Sequence, residues 1–173
     1  MMVAVIFSAG IVQAADAEQF NTVKQKLAAG LQVIGGTVTS ADIDIYCAMA
    51  GAGFDFLWIE MQHSPLTYAQ VAAMIRACPG PAIPFIRVPT DSEGDIQKAL
   101  DIGALGIMVP MVDTVDKIRN AINFAKYPPI GKRSQGGGQY GAIWGRNYRE
   151  YANDNIMIVA MIENPAGVEI VNQ

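Results

Sequence analysis

A length of 173 residues suits a single domain with a substantial hydrophobic core, and a composition that is 51% apolar and only 16% charged excludes a disordered chain. The formal net charge is −4 and no basic run is present, so no nucleic acid partner is expected. The two cysteines, Cys47 and Cys78, lie far apart and belong to no C-x-x-C motif, so they suggest neither a zinc site nor a redox motif. We expect buried free thiols, with a disulfide as the alternative if the protein is exported.

Residues 1–15 form an apolar stretch that ends in small residues, as in the hydrophobic region and cleavage site of a secretory signal. The basic start of such a signal is missing, because the first basic residue is Lys24. The stretch is also too short to span a bilayer. Two alternatives follow: an exported protein whose domain covers residues 16–173, or a cytoplasmic protein in which this apolar arm is frayed or contacts another subunit.

From residue 20 onward, predicted strands and helices alternate and are joined by short connections. This repeated strand-helix unit is typical of a parallel sheet or barrel. A closed (β/α)8 barrel needs eight strands and about 250 residues. The five units found here therefore predict an α/β fold that is either a fragment of a longer barrel or an unusual open sheet. We favour the fragment, because a parallel sheet that ends within a unit leaves a long apolar strand edge uncovered. The predicted strands are residues 31–39, the segment from Phe54 to the stop at Ser64-Pro65, and residues 83–89, 106–112 and 156–162. The predicted helices are residues 20–27, 40–51, 66–78, 91–102 and 113–125.

The segment 54–65 carries the most distinctive chemistry. It opens as an apolar and aromatic run of the kind that a strand buried on both faces needs. It then turns polar at Glu60 and His63, the latter being the only histidine in the chain. Ligands meet α/β proteins at the carboxyl ends of parallel strands, so this pair is placed for acid–base chemistry. The structural alternative is a histidine that caps the strand end.

Two further charged residues are predicted at the same edge. Arg87 stands among apolar neighbours near the end of the third strand, where a buried guanidinium needs an anionic partner. That partner is either a strand carboxylate such as Glu60 or the carboxylate of a substrate, and one arginine can bind both. Glu163 follows the seven apolar residues of the fifth strand and is either an acid near the start of the next helix or a metal ligand.

Residues 127–155 interrupt the alternation. The segment 134–141 is rich in glycine, yet it lacks the residue order of a phosphate-binding P-loop and the strand-to-helix setting of a dinucleotide fingerprint. It predicts a mobile loop that forms a lid or wall over a site. Residues 144–151 are predicted to form a short helix after it.

Taken together, these motifs resemble the HpcH/HpaI aldolase (citrate lyase-like) family, the class II pyruvate aldolases, from about Val33 to the last residue. The resemblance implies a TIM-type barrel that cleaves 4-hydroxy-2-oxo acids to pyruvate and an aldehyde. It also implies a divalent metal ion, magnesium, manganese or cobalt, and a homo-oligomer. The motifs that carry it are residues 54–65, Ile86-Arg87-Val88-Pro89, residues 106–112, residues 127–133 and Met161-Ile162-Glu163.

Matching these motifs one by one implies a role for each candidate residue. Glu163 matches a metal-binding carboxylate, and His63 matches the histidine of the acid–base pair. Glu60 stands where many relatives have the aspartate of that pair, and Arg87 matches the arginine that binds the oxo acid and steadies the enolate oxygen. A fifth assignment is a loop that lines the substrate site, represented by Gln135 and Gly137.

Two departures from the family pattern leave other functions open. Many relatives have glutamine where this chain has Met161, and the second metal carboxylate lies on a later strand that this sequence does not contain. One alternative is a citrate lyase-like enzyme acting on an acyl-CoA thioester, although no basic cluster for a CoA diphosphate stands out. The other is a catalytically silent barrel that binds an oxo acid.

Overall fold

The computed structural model describes residues 19–172, so the predicted signal segment 1–15 lies outside the described residues. Five parallel strands form one sheet in the order β1-β2-β3-β4-β5, each beside its neighbour in the chain. This arrangement confirms the predicted partial TIM-type barrel. The strands are β1 (Gly35–Val38), β2 (Phe56–Glu60), β3 (Ile83–Arg87), β4 (Gly106–Val109) and β5 (Met157–Ala160). The helices are α1 (Thr22–Ala28), α2 (Ile43–Ala50), α3 (Tyr68–Ala77), α4 (Glu93–Asp101), α5 (Val115–Ala125), α6 (Tyr140–Trp144), α7 (Tyr148–Asn155) and α8 (Pro165–Ile170).

The two faces of the sheet are set by the alternation of side chains along each strand. On β2, Leu57 and Ile59 are fully buried, whereas Phe56 and Trp58 on the opposite face are half-buried. Phe56 packs against Phe85 of β3, with ring centroids 4.9 Å apart. The half-buried face therefore lines the interior of the partial barrel, and Glu60 belongs to it because it follows Trp58 by two residues.

The helix starts follow from local capping, which is why the sequence predicted them well. The side chains of Asp42, Ser92 and Thr114 each accept a hydrogen bond from a backbone N–H of the first helical turn. The predicted helices 20–27, 40–51, 66–78, 91–102 and 113–125 correspond to α1–α5, with shorter ends. No helix between residues 19 and 172 has the length and apolar character needed to cross a membrane.

The predicted helix at residues 144–151 is wrong in its boundaries. The structure has α6 and α7 there, separated at Gly145, whose φ of 94° lies in the left-handed region. Glycine tolerates that conformation because it has no Cβ atom. A helix cannot continue through such a residue, so the chain turns and starts a new helix at Tyr148.

The expectation of two free thiols is also wrong, because Cys47 and Cys78 form a disulfide. Cys47 lies in α2 and Cys78 directly follows α3, and their Cα atoms are 5.3 Å apart. The helices of consecutive strand-helix units pack side by side, so cysteines 31 residues apart in sequence become neighbours in space. Distance along the chain is therefore a poor guide to thiol pairing in this fold.

Candidate active site

The carboxyl ends of the strands bring several predicted residues to one edge of the sheet. Glu60 is the last residue of β2 and Arg87 is the last residue of β3, and the two are paired in the ladder. His63 follows three residues after the end of β2, and Glu163 follows three residues after the end of β5. The sequence prediction that these four residues share an edge follows directly from the parallel order of the strands.

Glu60 uses both of its carboxylate oxygens within the protein. Its Oε2 atom forms a salt bridge with Nη2 of Arg87, and its Oε1 atom accepts hydrogen bonds from the backbone N–H groups of Gln62 (2.8 Å) and His63 (2.9 Å). Burial raises the pKa of the Glu60 carboxyl, but these donors outweigh burial and hold that pKa below its ordinary value. Glu60 is therefore ionised at neutral pH and suits holding Arg87 better than carrying a proton.

The His63 side chain is exposed, in the loop that follows the carboxyl end of β2. Within residues 19–172 its imidazole makes no hydrogen bond, and the Glu60 carboxylate binds the main chain of His63 rather than its ring. The loop that carries His63 is also fixed by Ser64, whose hydroxyl donates to the carbonyl oxygen of Glu60. The histidine thus has a fixed backbone and a ring that is free to meet a substrate.

Arg87 is held by contacts on two sides. In addition to the Glu60 salt bridge, its guanidinium carbon lies 5.2 Å from the centroid of the Trp58 ring. The side chain is 13% exposed, and its Nε atom is buried with no hydrogen-bond partner in the described part of the chain. Apart from the Glu60 salt bridge at Nη2, the guanidinium makes no hydrogen bond to the described residues, so its Nη1 donors are not used by them.

Glu163 is exposed and is fixed through one oxygen. Its Oε2 atom accepts a hydrogen bond of 2.8 Å from the backbone N–H of Met111, a residue with a φ of 52° just after β4. The other carboxylate oxygen makes no hydrogen bond to residues 19–172 and faces no protein donor. The helix cap beside it is supplied by Asn164, which excludes Glu163 as the N-cap of α8.

The described residues do not by themselves complete a metal site. Between residues 19 and 172 there is no group of three histidine, cysteine, aspartate or glutamate side chains able to hold an ion. Glu60 is committed to Arg87, and Met161 offers only a thioether to hard cations that prefer oxygen. Of the two glutamates at this edge, Glu163 is thus the one with an oxygen that makes no hydrogen bond to the described residues.

In this chain the glycine-rich segment, residues 134–141, lies away from the carboxyl edge of the sheet. It belongs to the connection from α5 to β5, and such connections cross the amino ends of the strands. Gln139 donates to the carbonyl oxygen of Ile102, just after α4, at 2.6 Å, and Gln135 accepts from Arg149 of α7 at 3.4 Å. The structure therefore does not bring Gln135 and Gly137 to Glu60 and Arg87.

Sequence reasoning missed Trp58 and Met111 as parts of this site. Trp58 could have been found, because residues two apart on a strand share a face and Glu60 was already placed there. Met111 could not, because its contribution is a backbone N–H whose direction depends on a left-handed turn. Nothing in the identity of a methionine signals that geometry.

The comparison with known proteins agrees with this fold. A family model described as HpcH/HpaI aldolase/citrate lyase matches residues 37–173. The chain therefore belongs to the HpcH/HpaI aldolase/citrate lyase family, as its motifs predicted.

Two curated relatives and one solved structure illustrate the similarity. The chain is 34% identical over 154 residues to a 4-hydroxy-2-oxovalerate aldolase of Novosphingobium aromaticivorans, covering 86% of this chain and 58% of that protein. It is 36% identical over 148 residues to a hydroxypyruvate/pyruvate aldolase of Sagittula stellata, covering 83% and 58%. An HpcH/HpaI aldolase/citrate lyase family protein from Burkholderia cenocepacia superimposes with a TM-score of 0.79 at 30% identity, covering 86% of this chain and 62% of that one. The chain thus spans somewhat more than half the length of these relatives.

Proposed function

We propose that the full-length protein containing this chain is a divalent-metal-dependent aldolase that cleaves 4-hydroxy-2-oxo acids to pyruvate and an aldehyde. The observation that carries the proposal is Arg87, a guanidinium held at the carboxyl edge of the sheet by Glu60 and making no other hydrogen bond to the described residues. The names of the relatives support the substrate class, since they are aldolases of 4-hydroxy-2-oxovalerate and of hydroxypyruvate and pyruvate. Family membership supports the reaction type.

Each residue at the edge has a distinct role in this proposal. Arg87 binds the carboxylate of the oxo acid and steadies the enolate oxygen that develops when the carbon–carbon bond breaks. His63 accepts the proton of the 4-hydroxyl group, so that the aldehyde carbonyl forms as the bond electrons pass to the enolate. Glu60 keeps Arg87 in place. The proton taken up by His63 is then returned to the enolate carbon, directly or through water, which gives pyruvate and restores the neutral imidazole.

Among the described residues, Glu163 is the one that this proposal assigns as a ligand of the metal ion. A divalent ion such as magnesium, manganese or cobalt supplies charge stabilisation to pyruvate oxygens in such chemistry. Glu163 offers one hard oxygen ligand, and the remaining ligands have to come from outside residues 19–172. We therefore assign Glu163 a share in holding the ion, and derive no catalytic step from the ion itself.

The test is pyruvate release from 4-hydroxy-2-oxo acids by the full-length protein, with and without added manganese or magnesium. The variants are His63→Asn and Glu163→Gln, the latter because glutamine keeps an acceptor for the Met111 N–H while removing the charge. Asp116→Asn is the matched control, since Asp116 is an exposed carboxylate on α5. We expect His63→Asn to lower kcat by about 100-fold or more.

Glu163→Gln should raise the metal concentration needed for half-maximal activity by about tenfold or more, with Asp116→Asn unchanged. Release that is independent of metal would contradict the metal role. Oxo-acid binding without turnover by the folded, metal-loaded protein would contradict the aldolase function and favour a silent binding barrel. Turnover of an acyl-CoA thioester instead would favour the citrate lyase-like alternative.

A further inference from the structure

The Arg87 guanidinium lies between a carboxylate and an aromatic ring that come from the same strand. Glu60 is its direct partner across the ladder, and Trp58 stands two residues earlier on the same face of β2. Trp58 itself is paired with Phe85, so Trp58 and Arg87 are diagonal neighbours across β2 and β3. A diagonal neighbour is within reach of an aromatic ring and a long side chain, and the 5.2 Å distance shows that contact is made.

The two contacts use different parts of the guanidinium. The Glu60 salt bridge uses Nη2, whereas the contact with the Trp58 ring is a cation–π contact in which the ring accepts no N–H hydrogen bond from Arg87. The Nε atom stays buried and without a hydrogen-bond partner among residues 19–172. A second carboxylate in the place of Trp58 would fix Arg87 equally well, but it would occupy the donors that a substrate needs.

We propose that Trp58 is the positioning residue for Arg87, holding the guanidinium through their cation–π contact so that the donors not used by Glu60 bind the carboxylate of a 2-oxo acid. This inference rests on the proposed function and adds a residue to it. Trp58 acts through Arg87 and takes no part in proton transfer. Its loss therefore weakens oxo-acid binding and raises KM, while kcat changes little.

Two substitutions in the full-length protein test this role, with a matched control. Trp58→Met removes the ring and keeps an apolar side chain, and Trp58→Phe keeps a ring of the same class. Trp144→Phe is the control, because Trp144 is the only other tryptophan and its indole donates to the carbonyl oxygen of Gly103, beyond the end of α4. Pyruvate affinity is measured by titration calorimetry, and KM and kcat are measured for pyruvate release.

We expect Trp58→Met to weaken pyruvate binding and raise KM by about tenfold, with kcat within about twofold of the wild-type value. Trp58→Phe should recover most of this loss, because a phenyl ring still presents a face to the cation. Trp144→Phe should leave pyruvate affinity unchanged. A purely structural role for Trp58 would lower kcat and the thermal stability together without this split between KM and kcat.

Arg87→Met separates a failure of this inference from a failure of the proposed function. If Arg87→Met abolishes pyruvate binding but folded Trp58→Met binds pyruvate like the wild type, the positioning role is overturned and the role of Arg87 stands. If Arg87→Met binds pyruvate as tightly as the wild type, the role of Arg87 in the proposed function fails, and the inference fails with it. Pyruvate binding without any aldol cleavage would overturn the aldolase function and still allow the Trp58 test to be decided.

If Trp58→Met does not fold, the fluorescence of Trp58 itself tests whether its ring contacts the arginine that binds pyruvate. In the Trp144→Phe background Trp58 is the sole tryptophan, so its fluorescence can be followed during a pyruvate titration. A saturable change at the pyruvate concentrations seen by calorimetry supports a ring that touches the binding guanidinium. The absence of any change while calorimetry reports binding overturns the inference.

Discussion

Glu60 binds the side chain of Arg87 and the main chain of His63, and not the imidazole of His63. The carboxylate thus links two strand ends and the loop that carries the histidine into one rigid unit. The resemblance of the motifs implied a carboxylate–histidine pair for acid–base chemistry. In the structure the same carboxylate holds the arginine, and the exposed His63 ring makes no hydrogen bond to residues 19–172.

Loss of the Glu60 charge should destabilise the fold measurably. Glu60→Gln removes the counterion of Arg87 while keeping an acceptor for the backbone N–H groups, and we expect the free energy of unfolding to fall by about 2 kcal/mol. Asp116→Asn breaks an exposed 3.7 Å pair with Arg119 and should cost less than about 0.5 kcal/mol. Urea denaturation measures both. Equal small losses in the two variants would show that the Glu60–Arg87 pair contributes little.

The same pair predicts a dependence of stability on pH. Because the folded-state pKa of Glu60 lies below its unfolded-state value, the stabilisation is fully present above the unfolded value and is lost as pH falls through the folded one. The stability difference between the wild type and Glu60→Gln should therefore be largest near neutral pH and shrink in acid, below about pH 4. Urea midpoints from pH 7 to pH 3 measure this. A difference that grows in acid would mean that the pKa is raised instead.

Reduction of the disulfide should lower stability substantially. The bond between Cys47 and Cys78 closes a loop with a sequence separation of 31 that contains the whole of β2 and its functional end. Chain-entropy arguments give a loss of about 3–4 kcal/mol for a loop of this size. Urea denaturation with and without a reductant measures the loss. A double Cys47→Ser, Cys78→Ser variant is the control, since a reductant should not change its stability; a change there would point to an effect unrelated to the disulfide.

Substitution of Arg133 should lower the stability of the protein more than substitution of the other arginines in the connection between α5 and β5. Its side chain is fully buried, forms a 2.7 Å salt bridge with Asp101 and donates to the hydroxyl of Tyr148 at 3.1 Å. Arg133 reaches Tyr148 through Nη1 and Asp101 through Nη2, and the single nitrogen of lysine in Arg133→Lys cannot occupy both positions. We therefore expect a loss of about 3 kcal/mol in the free energy of unfolding. Arg146→Lys, at an exposed position, should change stability by less than about 0.5 kcal/mol. Similar effects in both variants would argue against a structural role for the buried cation.

The lid predicted from residues 134–141 shows where local pattern stops being informative. Glycine content correctly identified residues 134–138 as irregular, whereas it did not reveal that Gly145 breaks the helix predicted across residues 144–151. The side of the sheet that the segment covers depends on its position after α5, because a helix-to-strand connection returns to the amino ends of the strands. Composition alone carries no information about that direction.

The sequence by itself determined the alternation of strands and helices, the approximate starts of α2 and α5, and the placement of Glu60, Arg87 and Glu163 at strand ends. These features depend on burial periodicity and on hydrogen bonds within a few residues, which are local properties of the chain. Only the tertiary structure decided that Glu60 pairs with Arg87 rather than with the imidazole of His63, and that Cys47 meets Cys78. Both outcomes depend on strand register and helix packing, which bring together atoms that are far apart in sequence.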